Sequence, residues 1–157
     1  MFHTKYKIQD TRYRKGFTLI EMLIVITIIA LLSSLILVGM GGARTKSRDS
    51  RRIADLHNIQ IALELYYTKN GTYLVGTYNS SANWDTFVTT LTGAGIGVNQ
   101  VPKDPLNDTD HYYRYGGTAT DYVLGALLEQ DDVALNNDID DTVIGINCTD
   151  PVYCIKP

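Results

Sequence analysis

Glu21 is the only charged residue between Phe17 and Ala43, so its chemistry needs an explanation first. The residues around it are almost entirely apolar, and an ionised carboxylate at the centre of a membrane costs about 2.5–3.5 kcal/mol on insertion scales. One interpretation is that Glu21 lies close enough to an interface to reach water. The other is that it binds a cation from outside the segment, supplied by another chain or by a new amino terminus made by cleavage.

A second group of reactive side chains lies near the C-terminus. Six acidic residues occur between Glu129 and Asp141, and carboxylate oxygens are ligands that Ca²⁺ prefers. The calcium-loop template of helix–loop–helix proteins is not met, because no Gly follows Asp140 and position 147 is Asn. The segment is interpreted either as a calcium site or as a solvated acidic loop. The candidate ligands are Asp131, Asp132, Asp138, Asp140 and Asp141.

Cys148 and Cys154 are the two cysteines of the chain. A disulfide between them would close a short loop and stabilise the fold by roughly 2 kcal/mol. The alternative is a pair of free thiols, since two ligands alone do not make a zinc site. A disulfide forms in an oxidising compartment, so it would place this end of the chain outside the cytoplasm.

The sequence offers no support for an enzyme. His57 and His111 are the two histidines beyond the N-terminal segment, and one is expected on a helix and the other beside a strand. No nucleophile elbow, phosphate loop, Cys-x-x-Cys pair or metalloprotease helix occurs. The net charge of −3 also argues against a nucleic-acid-binding domain, which would carry a basic excess.

The charges divide the 157 residues into four unlike segments. Residues 1–16 carry +4, residues 17–43 carry −1, residues 44–52 carry +4 and residues 53–157 carry −10. Since five Lys or Arg precede the apolar run and five follow it, the positive-inside rule does not fix an orientation. The cysteine argument places the N-terminus inside and the acidic part outside.

The apolar run from Phe17 to Met40 is 24 residues long. At about 1.5 Å per residue a helix of this length reaches roughly 36 Å, which is enough to cross a hydrocarbon core of about 30 Å. The alternative, a cleaved secretory signal, needs an apolar region of only about 7–15 residues. We expect residues 17–43 to be the transmembrane part of a helix.

The segment 44–70 continues with apolar residues at helical spacing, and Asn70-Gly71 is a C-terminal stop signal. No Pro occurs in residues 17–70, so both segments are predicted to form one helix of about 50 residues. The remainder, 71–157, is predicted to be a small globular head with a helix at 82–92 and three antiparallel strands. The predicted strands are 111–115, 120–128 and 142–147. The tyrosines are expected to pack in this head.

The N-terminal pattern Lys15-Gly16-Phe17-Thr18-Leu19-Ile20-Glu21 resembles the cleavage and methylation site of type IV prepilins and type II secretion pseudopilins. Asn70-Gly71-Thr72-Tyr73 and Val101-Pro102-Lys103-Asp104-Pro105 resemble two further elements of that family. The resemblance implies an α+β pilin fold, with a long N-terminal spine helix and a small antiparallel sheet. It adds weight to the calcium interpretation, because the major secretion pseudopilin binds calcium in a C-terminal loop.

The same resemblance implies how the protein is processed and assembled. A prepilin peptidase would remove residues 1–16 as a leader and methylate Phe17, and Glu21 would pair with the Phe17 amine of a neighbouring subunit. The protein would be a single-pass inner-membrane subunit that meets lipid and an assembly platform, and then polymerises into a pilus or a secretion pseudopilus. The alternative is a membrane-anchored extracytoplasmic module that binds an ion or ligand without polymerising.

Overall fold

The computed structural model describes residues 16–157, and over residues 35–40 it describes the backbone alone. The predicted leader therefore lies, apart from Gly16, outside the described residues. The chain divides into two compact units, residues 1–40 and residues 41–157. We call the second of these the head unit.

One helix, α1 (Leu19–Asn70), includes 52 residues and confirms the predicted extent. It begins after Thr18 and ends where Gly71 adopts a φ of +73°. The Gly71 N–H donates to the carbonyl of Tyr67 at 2.7 Å, which satisfies one of the free carbonyls of the last turn. In the part of the chain that the structure describes, no helix combines the length and hydrophobicity needed to cross a membrane. The membrane span over 17–43 stays a prediction.

The second helix, α2 (Ser81–Gly93), confirms the helix predicted at 82–92. Ser80 and Asn83 form a capping box, in which each side chain accepts a hydrogen bond from the other's backbone N–H. Trp84, Phe87 and Leu91 are buried on one face. These residues are spaced by three and four positions, so they lie on the same face of the helix, which is the apolar periodicity that predicted it.

Four strands form an antiparallel sheet in the order β1-β2-β3-β6. They are β1 (Gly76–Tyr78), β2 (Tyr113–Gly117), β3 (Tyr122–Leu127) and β6 (Val152–Ile155). A short 3-10 helix, Val133–Asn137, follows β3. A separate hairpin of two-residue strands, β4 (Thr142–Val143) and β5 (Ile146–Asn147), precedes β6.

The predicted strands need three corrections. The strand expected at 111–115 runs instead over β2, because Gly116 and Gly117 pair with β3 rather than turning. The strand expected at 142–147 is the β4–β5 hairpin, because Ile144 and Gly145 both have positive φ and reverse the chain. The strands β1 and β6 were not predicted, and with them the sheet has four strands instead of three.

The hydrophobic core of the head unit lies between α1, α2 and one face of the sheet. Leu56, Ile59 and Leu63 of α1 are fully buried, which confirms the apolar stripe predicted for this half of the helix. The tyrosines of the sheet pack against them, as expected: Tyr113, Tyr115 and Tyr122 have no exposed surface. A second, smaller cluster includes Val123, Ile146 and the two cysteines.

Candidate functional site

The start of α1 carries the predicted processing and assembly residues. Gly16 and Phe17 are exposed, and Phe17 retains 80% of its surface. Glu21 accepts hydrogen bonds from the backbone N–H of Thr18 at 2.7 Å and from its hydroxyl at 2.8 Å. The Glu21 N–H in turn lies 3.3 Å from the Thr18 hydroxyl oxygen. Thr18 and Glu21 therefore form a capping box, which stabilises the first turn.

This capping role was missing from the sequence interpretation, although the signal was present. A Thr followed three residues later by Glu, directly before an apolar run, is the sequence signature of a capping box. The cap does not exclude an assembly role for Glu21, because a carboxylate has two oxygens and about four sites that accept hydrogen bonds. Both Thr18 hydrogen bonds use the same oxygen, Oε2.

Apart from Glu21, the surface of α1 over residues 19–34 is largely apolar. Leu19, Ile26 and Leu31 are 92%, 62% and 66% exposed. Two of the three hydroxyl groups in residues 22–34 are satisfied within the helix, since those of Thr27 and Ser34 donate to backbone carbonyls one turn earlier. Residues 22–34 therefore present a surface that is almost entirely hydrophobic.

In the head unit, the basic segment 44–52 contains a buried ion-pair network. Arg52 has no exposed surface, and its guanidinium donates to Asp104 at 2.7 and 3.0 Å, to Asp49 at 2.7 Å and to Glu129 at 2.7 Å. Arg48 makes a second, bidentate pair with Glu129. Arg48, and to a smaller extent Arg52, holds the pKa of Glu129 at about 2.

The network joins three segments that lie far apart in the sequence. Asp104 also accepts the backbone N–H of Leu106 at 2.9 Å, and Asp49 accepts the backbone N–H of Glu129 and Gln130 at 3.0 and 3.1 Å. Every carboxylate therefore has partners in addition to Arg52, as a buried charge requires. The sequence interpretation treated residues 44–52 only as a basic stretch of net charge +4 at the start of the amphipathic part of the helix. Its one signal was the Asp49–Arg52 spacing of three residues on a helix.

The structure separates the five candidate calcium ligands. Asp138 and Asp140 come together with Asp150, and one carboxylate oxygen of each lies within 4.8 Å of the others. Asp132 instead caps the 3-10 helix, where it accepts the Ala134 N–H at 3.0 Å. The other two candidates, Asp131 and Asp141, are exposed and do not belong to this group.

Asp138 is the residue of this group that most favours a cation. Its Oδ2 accepts the backbone N–H of Cys154 at 2.7 Å, whereas its buried Oδ1 has no hydrogen-bond partner among the described residues. Burial raises the pKa of Asp138, because the ionised carboxylate loses water without gaining a cation. Three carboxylates with one unsatisfied buried oxygen fit a hard divalent cation.

Cys148 and Cys154 form the predicted disulfide, and their Cα atoms lie 5.7 Å apart. The bridge is buried in the second hydrophobic cluster and connects the β5 region with β6. It also holds Cys154 in the position from which its N–H reaches Asp138. The disulfide therefore shapes the backbone next to the three carboxylates.

Comparison with known proteins agrees with these features. Residues 11–37 match the model of the prokaryotic N-terminal methylation motif. The chain is 27% identical to the type II secretion system core protein G of Vibrio cholerae over 124 residues, which is 73% of this chain and 82% of that protein. It is 33% identical to the core protein G of Escherichia coli over 63 residues, 40% of this chain and 43% of that protein.

A pilus protein also matches. The type IV wide pilus major component PilA4 of Thermus thermophilus is 40% identical over 62 residues, 40% of this chain and 47% of that protein. The chain thus spans most of the Vibrio relative but less than half the length of the other two. No solved structure matches the chain.

The methylation motif, the apolar start of α1 and the small antiparallel head together define a pilin-type protein. The chain carries a prepilin-type methylation motif at its N-terminus, and it is homologous to the type II secretion pseudopilin core protein G and to the type IV pilin PilA4. Both of these relatives are structural pilin or pseudopilin subunits.

Proposed function

We propose that this protein is a structural subunit of a type IV pilus or of a type II secretion-like pseudopilus, and that it polymerises through the apolar part of α1. One observation carries the proposal: a helix surface that is exposed and largely apolar begins directly after a prepilin methylation site. Such a surface is far larger than the apolar patches of soluble monomers, so it needs lipid or other copies of the chain to cover it.

Processing precedes assembly in this proposal. A prepilin peptidase cuts after Gly16 and methylates the new amine of Phe17, and the exposure of both residues is compatible with access to an enzyme. Before assembly, residues 17–43 hold the protein in the inner membrane as a single pass, with the head outside the cytoplasm. The disulfide supports a location of the head outside the cytoplasm, because a disulfide needs an oxidising compartment. Assembly then takes the subunit through the platform into a periplasmic or cell-surface filament.

Glu21 is the residue that we propose to pair neighbouring subunits during assembly. In the filament its carboxylate meets the Phe17 ammonium of a neighbouring subunit, because the apolar segment supplies no cation of its own. The cap of the helix can stay intact in this pairing, because Thr18 binds one carboxylate oxygen of Glu21 and leaves the other available. Loss of one partner from a buried pair costs about 3–5 kcal/mol, which is large for a contact that recurs in every subunit.

Two variants separate the assembly role of Glu21 from its capping role. Glu21→Gln retains an oxygen that accepts the Thr18 hydrogen bonds but removes the charge, so we expect normal cleavage and membrane levels with few filaments. Thr18→Ala removes the cap and keeps the carboxylate, so we expect it to form filaments. The measurement is the sheared or secreted filament yield relative to total membrane-bound subunit, together with the intact mass of the mature protein. A wild-type filament yield from Glu21→Gln would refute the proposed pairing.

We further propose that the head binds calcium through Asp138, Asp140 and Asp150. Such a site would suit a filament subunit as well as the second candidate function, an anchored module that binds an ion without polymerising, and filament yield distinguishes the two. Calcium at 1 mM should raise the urea midpoint of the head unit, and a chelator should reverse the increase. Asp140→Asn should abolish this response, whereas Asp141→Asn, outside the group, should retain it. A urea midpoint that does not change with calcium would refute the proposed calcium site.

A further inference from the structure

Two cations at the beginning of the head unit have no acidic partner among the residues that the structure describes. Arg48 and Arg52 both bind Glu129, and Arg51 lies 3.5 Å from Asp55. Arg44 and Lys46, in contrast, are exposed, and within residues 16–34 and 41–157 no carboxylate lies within 4.0 Å of either side-chain nitrogen.

An exposed carboxylate lies at the same end of the head unit. The backbone N–H groups of Glu129 and Gln130 donate to Asp49 of α1. A methyl group placed on Gly42 would lie 3.9 Å from the side-chain nitrogen of Gln130. Asp131 follows directly and is exposed. The acidic loop that contains Asp131 therefore begins beside the first turns of α1 within the head unit, close to Gly42 and Asp49.

The net charge of the head unit affects how two heads can pack side by side. Residues 41–157 carry nine Lys or Arg and fifteen Asp or Glu, a net charge of −6. Two heads placed side by side therefore repel each other unless opposite charges meet at their contact. Asp132 is less available than Asp131 for such a contact, because its carboxylate already caps the 3-10 helix.

We propose that Arg44 and Lys46 of one subunit bind the Asp131 carboxylate of a neighbouring copy, and that this contact sets the register between heads. The inference rests on the polymerisation proposed above. Subunits that polymerise through the same helix segment stand parallel, so their equivalent ends lie at similar levels, and cations and carboxylate at one end can meet. Basic residues beside a predicted membrane span can also bind anionic lipid before assembly, and the vesicle experiment below distinguishes that partner from a second copy of the chain.

Charge reversal tests the contact. Lys46→Glu and Asp131→Lys should each lower the sheared filament yield, by about fivefold if the like charges cost about 1 kcal/mol per contact. The double variant Lys46→Glu/Asp131→Lys restores opposite charges and should recover most of the yield. Lys156→Glu makes the same charge change at an exposed lysine elsewhere in the head and should leave the yield unchanged.

A crosslink shows whether the contact joins two chains. Filaments of the Lys46→Cys/Asp131→Cys variant should give a ladder of covalent multimers after oxidation, and monomer alone would overturn the proposal. Loss of yield in Lys46→Glu without recovery in the double variant would also overturn it. If Lys46→Glu instead weakens binding of the unassembled subunit to phosphatidylglycerol vesicles, lipid is the partner. Failure of the wild type and of Lys156→Glu to form filaments would refute polymerisation itself.

Discussion

Removal of the Arg52 guanidinium is the most informative perturbation of the head. Arg52→Met keeps a long side chain of similar shape but leaves Asp49 and Asp104, which are 1% and 4% exposed, without their cation. It also removes four hydrogen bonds of 2.7–3.0 Å. Breaking a buried pair from one side costs about 3–5 kcal/mol, because an uncompensated charge stays in the interior.

That loss is a large part of the 5–15 kcal/mol by which a domain of this size is stable. The assay is urea unfolding of residues 41–157, which contain both hydrophobic clusters. With a slope of about 2 kcal/mol per M, the midpoint should fall by roughly 1.5–2.5 M. The control is Arg51→Met, because the Arg51 side chain is 63% exposed and its guanidinium lies 3.5 Å from the Asp55 carboxylate. It should cost less than about 1 kcal/mol.

The comparison between the two arginines decides the argument. If Arg52→Met costs no more than Arg51→Met, the buried guanidinium contributes no more than an exposed one. The network would then be replaceable by apolar packing, as some buried ion pairs are. A lost transition in Arg52→Met alone would agree with the large expected cost.

Two further predictions concern the same unit. Glu129 has its pKa lowered from 4.5 to about 2 in the folded state, so its contribution to stability is present above about pH 4.5 and is lost as the pH falls towards 2. Urea midpoints at pH 7, 5 and 3 should show this decrease, and Arg48→Met should make it smaller. Gly116→Ala should destabilise the head by about 1–3 kcal/mol, because the added Cβ would clash with the Ile144 carbonyl. Gly93→Ala meets no atom within 4 Å and is the matched control for thermal unfolding, so equal midpoints would contradict the packing argument.

The features that the sequence determined by itself are local. The helices α1 and α2 follow from periodicity and from stop signals within a few residues, and both were predicted with nearly the observed bounds. The isolation of Glu21 and the pair Cys148 and Cys154 are equally visible, because a single charge in an apolar run and a six-residue spacing need no tertiary information.

The sheet was only partly predictable. The strands β1 and β6 are three and four residues long, too short to show an alternation that differs from chance. Whether residues 142–147 form a strand or a hairpin depends on Ile144, a β-branched residue that adopts a positive φ against its own preference. Only packing against the rest of the head decides such a conformation.

The candidate sites depend most on the tertiary structure. Arg52 is 52 residues from Asp104 and 77 from Glu129, and no local pattern distinguishes it from the exposed Arg51 beside it. Asp150 joins Asp138 because the chain returns through the disulfide-linked turn, whereas the predicted ligands Asp131 and Asp141 lie closer to Asp138 in sequence and stay outside the observed group. Composition determined that this end of the chain is acidic, but folding decided which carboxylates meet, because ion pairs and metal ligands depend on distance in space.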